Sequence, residues 1–115
     1  MRYEGGCHCG AVRYNVEVDL ANPITCNCSY CQKRGSILAF TPAENFMLEQ
    51  GEDSLTEYRF NTKTIAHLFC SACGMESFAR GVMPDGTKMA AINVRCLDGV
   101  DPATMTPHHY DGRAR

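Results

Sequence analysis

Seven of the eight cysteines in this 115-residue chain fall into three clusters: Cys7-His-Cys9, Cys26-Asn-Cys28-Ser-Tyr-Cys31 and Cys70-Ser-Ala-Cys73. Zinc–sulfur bonds of about 2.3 Å put neighbouring corners of a tetrahedral site somewhat under ~4 Å apart. CxC on an extended segment and CxxC on a tight knuckle both meet that requirement. Cys7, Cys9, Cys70 and Cys73 together supply four thiolates, a closed site that ties the start of the chain to its latter half. Gly74, directly after Cys73, suits the positive φ of such a knuckle, and Gly5, Gly6 and Gly10 let the backbone bend around Cys7 and Cys9. His8, between two ligands, is expected to point away from the metal. Cys26, Cys28 and Cys31 supply only three corners of a second site. Three readings of its fourth corner stay open: water or a substrate thiol, closure by Cys96, or redox-active thiols with no stable metal. For Cys96 itself the favoured role is a buried or strand-end cysteine.

Metal wins over disulfides because the N-terminus, Met-Arg-Tyr-Glu-Gly-Gly-Cys, has no apolar signal region, and no stretch approaches membrane-spanning length. A cytoplasmic location is therefore expected, where thiols stay reduced and serve as ligands or reactive groups. The length fits one zinc-binding domain over residues 1–115, small enough to gain from a metal crosslink. The formal charge of −2 moves to about −5 once seven thiolates hold two zinc ions. A negative surface of this kind makes nucleic acid an unexpected partner.

Between frequent glycines and prolines the chain alternates like strands. Val12, Tyr14, Val16 and Val18 share one face, and Arg13, Asn15 and Glu17 the other, the mark of a half-buried antiparallel strand. Further strands are expected over Ser36–Thr41, Phe46–Glu49, Leu55–Phe60, Thr64–Phe69, Glu76–Arg80 and Met89–Val94, with turns at Gly51-Glu-Asp and Pro84-Asp-Gly-Thr. A helical turn or two is expected only at Ser29–Arg34. The fold class is all-β, with metal knuckles at its loops.

Three thiolates make a zinc ion electron-rich, a modest Lewis acid for water but a good partner for a further thiol. A captured thiol loses its proton well below its free pKa of about 8.5 and becomes a nucleophile that can add to a carbonyl. The reverse reaction cleaves a carbon–sulfur bond.

The order CxC…CxCxxC…CxxC, with Gly6-Cys-His-Cys-Gly-Ala-Val12, Cys26-Asn-Cys-Ser-Tyr-Cys-Gln-Lys-Arg-Gly35, Phe69-Cys-Ser-Ala-Cys-Gly74, Ile92-Asn-Val-Arg-Cys-Leu-Asp98 and the tail His108-His-Tyr-Asp-Gly-Arg113, resembles the glutathione-dependent formaldehyde-activating enzyme family. Centromere protein V-like proteins share that family. The resemblance implies a β-tent fold of small antiparallel sheets stapled by zinc. It implies structural zinc on Cys7, Cys9, Cys70 and Cys73, and catalytic zinc on Cys26, Cys28 and Cys31. The implied activity is that of a carbon–sulfur lyase: reversible formation of S-hydroxymethylglutathione from glutathione and formaldehyde, with glutathione as co-substrate. The alternative is a non-catalytic, zinc-stabilised interaction module.

Glutathione's two carboxylates need cations, which makes Lys33 and Arg34 the expected contacts; the plainer reading is a solvated basic pair. Tyr30 could donate to an aldehyde oxygen, though packing over the knuckle is its favoured role. His67 is expected to be a hydrogen-bonded core or outer-shell histidine rather than an acid–base catalyst. His108 and His109 are expected at the surface, with a place near a metal as the alternative. The methionines, including Met75, Met83 and Met89, lack clustered spacing and read as core filler.

Overall fold

The computed structural model describes residues 1–59 and 65–110. Among the described residues, ten strands and one short helix follow one another: β1 Arg2–Gly6, β2 Arg13–Glu17, β3 Ile24–Cys26, α1 Ser29–Arg34, β4 Leu38–Pro42, β5 Phe46–Gln50, β6 Leu55–Tyr58, β7 Ile65–Cys70, β8 Phe78–Val82, β9 Lys88–Asn93 and β10 His108–Tyr110. Single 3-10 turns fill some of the connections. The fold is all-β, as the alternation and the resemblance imply. Among the described residues, no helix is long and apolar enough to cross a membrane.

Two sheets form. The smaller runs β1-β2-β5 and the larger β10-β3-β4-β9-β8-β7-β6. All pairings are antiparallel except β10 on β3, which is parallel. The alternation from Val12 to Val18 explains where the core sits. Val12, Tyr14, Val16 and Val18 are all buried, and they point from the small sheet toward the large one. Tyr14, Phe46 and Phe78 form an aromatic centre, with ring centroids 4.6–5.6 Å apart. The Tyr14 hydroxyl, fully buried, donates to Ser77 O at 2.9 Å. Burial holds this phenol far above its ordinary pKa, so it stays a donor.

Most expected strands form with ends shifted by a residue or two. Hydrogen-bond pairing sets strand ends, and side-chain pattern reports it only indirectly. Glu76–Arg80 begins instead at Phe78, because Glu76 and Ser77 still belong to the exit from the Cys70–Cys73 knuckle. The expected ends at Phe60 and Thr64 lie outside the described residues. The Pro84-Asp-Gly-Thr turn closes the β8–β9 hairpin, with Gly86 N donating to Met83 O and Met83 N to Thr87 O, both at 2.8 Å. Three strands have no counterpart in the sequence reading: β1, β3 and β10. They matter because β1 leads into Cys7, β3 ends at Cys26, and β10 lies against β3.

Candidate metal centres

The closed cluster is built where the β1–β2 hairpin meets the end of β7. Cys7 leaves β1, and its amide donates to Val12 O at 3.1 Å while Val12 N donates back to Cys7 Sγ at 3.3 Å. The chain passes so close to itself here that a Cβ on Gly6 would lie 2.0 Å from Val12 O. Gly6 therefore provides room for the return strand. At the other half, Gly74 N donates to Cys70 O at 2.8 Å and Cys70 N to Met75 O at 3.0 Å. Gly74 takes the left-handed conformation, φ +79°, that the knuckle demands.

The four sulfurs of Cys7, Cys9, Cys70 and Cys73 all lie within 4.8 Å of one another. Cys7–Cys9 and Cys9–Cys70 are each separated by 3.6 Å, close to the edge of a tetrahedral thiolate site at about 3.8 Å. The amides of Met75 and Cys9 hold the Cys73 thiol down at about 6. The Ala11 amide also lowers Cys9, but its Cys7 and Cys70 neighbours outweigh that and push it up to about 11. The donor set fits a soft divalent metal. His8 is exposed and outside this group.

The three-cysteine cluster is local to the β3–α1 junction. Cys26 ends β3, Cys28 is the N-cap of α1 with extended φ −61° and ψ 161°, and Cys31 lies inside the helix. Extended chain followed by a helical turn folds CxCxxC around a single point. Their sulfurs also lie within 4.8 Å of one another. Cys28 Sγ accepts from Cys31 N at 3.4 Å, and Cys26 Sγ from Cys28 N at 3.5 Å. Burial opposes ionisation of Cys28, but the Cys31 and Tyr30 amides and the neighbouring thiols hold its pKa below the ordinary value. Burial pushes Cys31 up, and the Cys28 and Cys26 thiols push it further.

Cys96 does not complete this cluster. It ends a 3-10 turn, Val94–Cys96, and the three-cysteine group forms without it. Burial raises its thiol to about 11. Two of the three cysteines, Cys26 and Cys31, line a cleft of about 380 Å³ together with Gln32, Ser36, Thr25 and His109 among others.

A family profile described as glutathione-dependent formaldehyde-activating enzyme matches residues 2–111. The chain belongs to the glutathione-dependent formaldehyde-activating enzyme family. A crystal structure of a Rhodobacter sphaeroides protein shares the fold at a TM-score of 0.83, with 33% identity over 92% of this chain and 97% of that one. Membership supports a glutathione-dependent, formaldehyde-activating enzyme in general terms, and both cysteine groups could hold a metal.

Around the three-cysteine site the family member places its remaining polar residues unevenly. Lys33 is exposed on α1. Arg34 is turned inward, its Nε 3.5 Å from Glu76 Oε1 and its guanidinium carbon 5.7 Å from the Tyr30 ring centre. Tyr30 donates to Glu76 Oε1 at 2.5 Å and stacks against His67 at 4.1 Å and Tyr58 at 5.5 Å, so it packs behind the knuckle as expected. His67 is buried, and its Nδ1 faces Glu76 Oε2 at 3.0 Å, the hydrogen-bonded core role anticipated for it. His109 is exposed and also lines the cleft, because β10 pairs His109 with Thr25 and Tyr110 with Cys26. Its Nδ1 lies 3.0 Å from Thr25 Oγ1.

The sequence reading missed Glu76. Its only signal was a lone acid between the Cys73 knuckle and the apolar Phe78, a place where a buried carboxylate demands partners.

Proposed function

We propose that this chain is a zinc-dependent carbon–sulfur lyase acting on glutathione adducts. Cys26, Cys28 and Cys31 hold the catalytic zinc, and Cys7, Cys9, Cys70 and Cys73 a structural one. The observation that carries this reading is a group of three cysteines, two of them lining a cleft, with no fourth cysteine in it among the described residues. Cys26, Cys28 and Cys31 would hold the zinc, whose chemistry there would be to lower the pKa of a bound thiol toward neutral pH.

The chain's own groups do the rest. The amides of Cys28 and Cys31 donate to the sulfurs of Cys26 and Cys28 and fix where those sulfurs lie. The cleft walls, Gln32, Ser36, Thr25 and His109, offer polar contacts that orient a thiol peptide with its sulfur at the cysteines. Lys33, exposed on α1, is the cation of the pair left to meet a glutathione carboxylate; Arg34 is already turned to Glu76. In the forward reaction the glutathione sulfur forms a bond to the formaldehyde carbon. The C=O π pair moves to oxygen, and that oxygen takes the proton the thiol gave up, so S–H and C=O become S–CH2–OH. The reverse step breaks the same S–C bond. Because the reaction proceeds in water unaided, proximity and thiolate generation suffice for catalysis.

Exchange-spectroscopy NMR on an equilibrium mixture of glutathione and formaldehyde tests this reading. The zinc-loaded protein is expected to accelerate adduct exchange, and Cys28→Ser to abolish the acceleration. No acceleration by a protein carrying metal at both clusters would overturn it.

A further inference from the structure

Glu76 lies three residues beyond Cys73, with a side chain only 9% exposed. A carboxylate taken from water at such a place persists only when several groups hold it. Its two oxygens face in different directions. Oε1 accepts from the Tyr30 hydroxyl at 2.5 Å, and Oε2 faces His67 Nδ1 at 3.0 Å. Its main-chain oxygen accepts from Asn93 Nδ2 at 3.1 Å, which fixes the backbone to the end of β9.

Tyr30 and Arg34 are one helical turn apart on the same face of α1. That helix has six residues and none fully buried, so neither its length nor a packed apolar face fixes its direction. What holds it is side-chain anchoring: Tyr30 on Glu76, the Tyr30 ring on His67, and Arg95 Nε donating to the Gly35 carbonyl at 3.3 Å. Arg34 Nε is near Oε1 by distance but makes no well-aligned hydrogen bond, so Tyr30 is the stronger grip. On one side, then, Glu76 continues directly from the Cys70–Cys73 knuckle. On the other it grips the helix that carries Cys28 at its cap and Cys31 in its first turn.

We infer that Glu76 is a positioning residue coupling the two cysteine clusters, carrying the order of the four-cysteine site into α1 and so setting the metal affinity of the three-cysteine site. The inference rests on reading both clusters as metal sites. Metal in the four-cysteine site fixes the knuckle, the knuckle fixes Glu76, and Glu76 holds Cys28 and Cys31 at ligand spacing. By linkage the coupling is reciprocal, so metal in the open site also tightens the closed one.

Cobalt(II) loading followed by thiolate-to-metal absorption, with a competing chelator, separates the two sites. Wild-type protein is expected to take up two cobalt ions in distinct steps. Tyr30→Phe, which removes one hydroxyl and keeps the ring, is expected to weaken the three-cysteine step about tenfold and leave the four-cysteine step nearly unchanged. Glu76→Ala should do the same, and the double variant should be no weaker than Glu76→Ala alone. Glu76→Gln keeps an acceptor for Tyr30 and should recover most of the affinity. The inference is overturned if Tyr30→Phe and Glu76→Ala bind the second ion with wild-type affinity. It is equally overturned if Tyr30→Phe weakens both steps in the same proportion. A wild-type protein that binds only one ion would instead remove the open metal site itself.

Discussion

Tyr14 shows how a single residue sets both packing and polarity in this domain. Its ring fills the space between Phe46 and Phe78, and its hydroxyl meets Ser77 O, which has left the cysteine knuckle and not yet joined β8. Replacing Tyr14 by Phe keeps the ring and strands that carbonyl. The expected cost is about 1 kcal/mol, read as a lower denaturation midpoint at constant slope. The two cysteine groups were legible residue by residue, since the CxC, CxCxxC and CxxC clusters come together as their spacing suggests. Glu76 was not, because a carboxylate's value here comes from its partners: Tyr30 lies 46 residues away on α1, and His67, nine residues back on β7, meets it only through the folding of the chain.

At the scale of elements, legibility follows length. The alternation from Val12 to Val18 exposed β2 and its buried face without ambiguity. β3 and β10 have three residues each, too few to show a period, and they exist because they pair with each other in parallel beside the open cluster. β1 hides its character in Gly5 and Gly6, which have no side chains to alternate. α1 was expected at Ser29–Arg34 beside the CxCxxC segment, and the structure ends it on Gly35 in the left-handed conformation, φ +73°. The two sheets are also joined outside the core. Gly5 bridges Leu97, Asp98 N donates to Glu4 O at 2.8 Å, and Arg13 pairs with the Asp98 carboxylate. Arg13 holds that carboxyl below its ordinary pKa. The pair therefore adds stability above the unfolded value of about 3.9 and loses it as pH falls through the lower folded value. Asp98 is more than half exposed, so the contribution is about a few tenths of a kcal/mol. Stability of Asp98→Asn measured from neutral pH down to acid should fall less steeply than that of the wild type.

Across the whole molecule the two clusters are built in different ways. The four-cysteine site joins the first hairpin to the end of β7, linking elements from both sheets; the three-cysteine site is made by one local segment at the rim. Losing a ligand should therefore have unequal consequences. Cys70→Ser is expected to unfold the domain or lower its melting temperature sharply, whereas Cys28→Ser should melt close to the wild type while carrying one metal fewer. Circular dichroism melts combined with metal analysis check both halves of that statement.

The most direct test of an open thiolate site uses cadmium-113 NMR on protein loaded with cadmium, titrated with glutathione. Two resonances are expected, one of them missing in Cys28→Ser. Glutathione should shift only that resonance, toward the position of a four-thiolate site, as its sulfur takes the vacant corner. If neither resonance moves with saturating glutathione, the three-cysteine cluster does not take up a substrate thiol, and the catalytic reading of this site is contradicted.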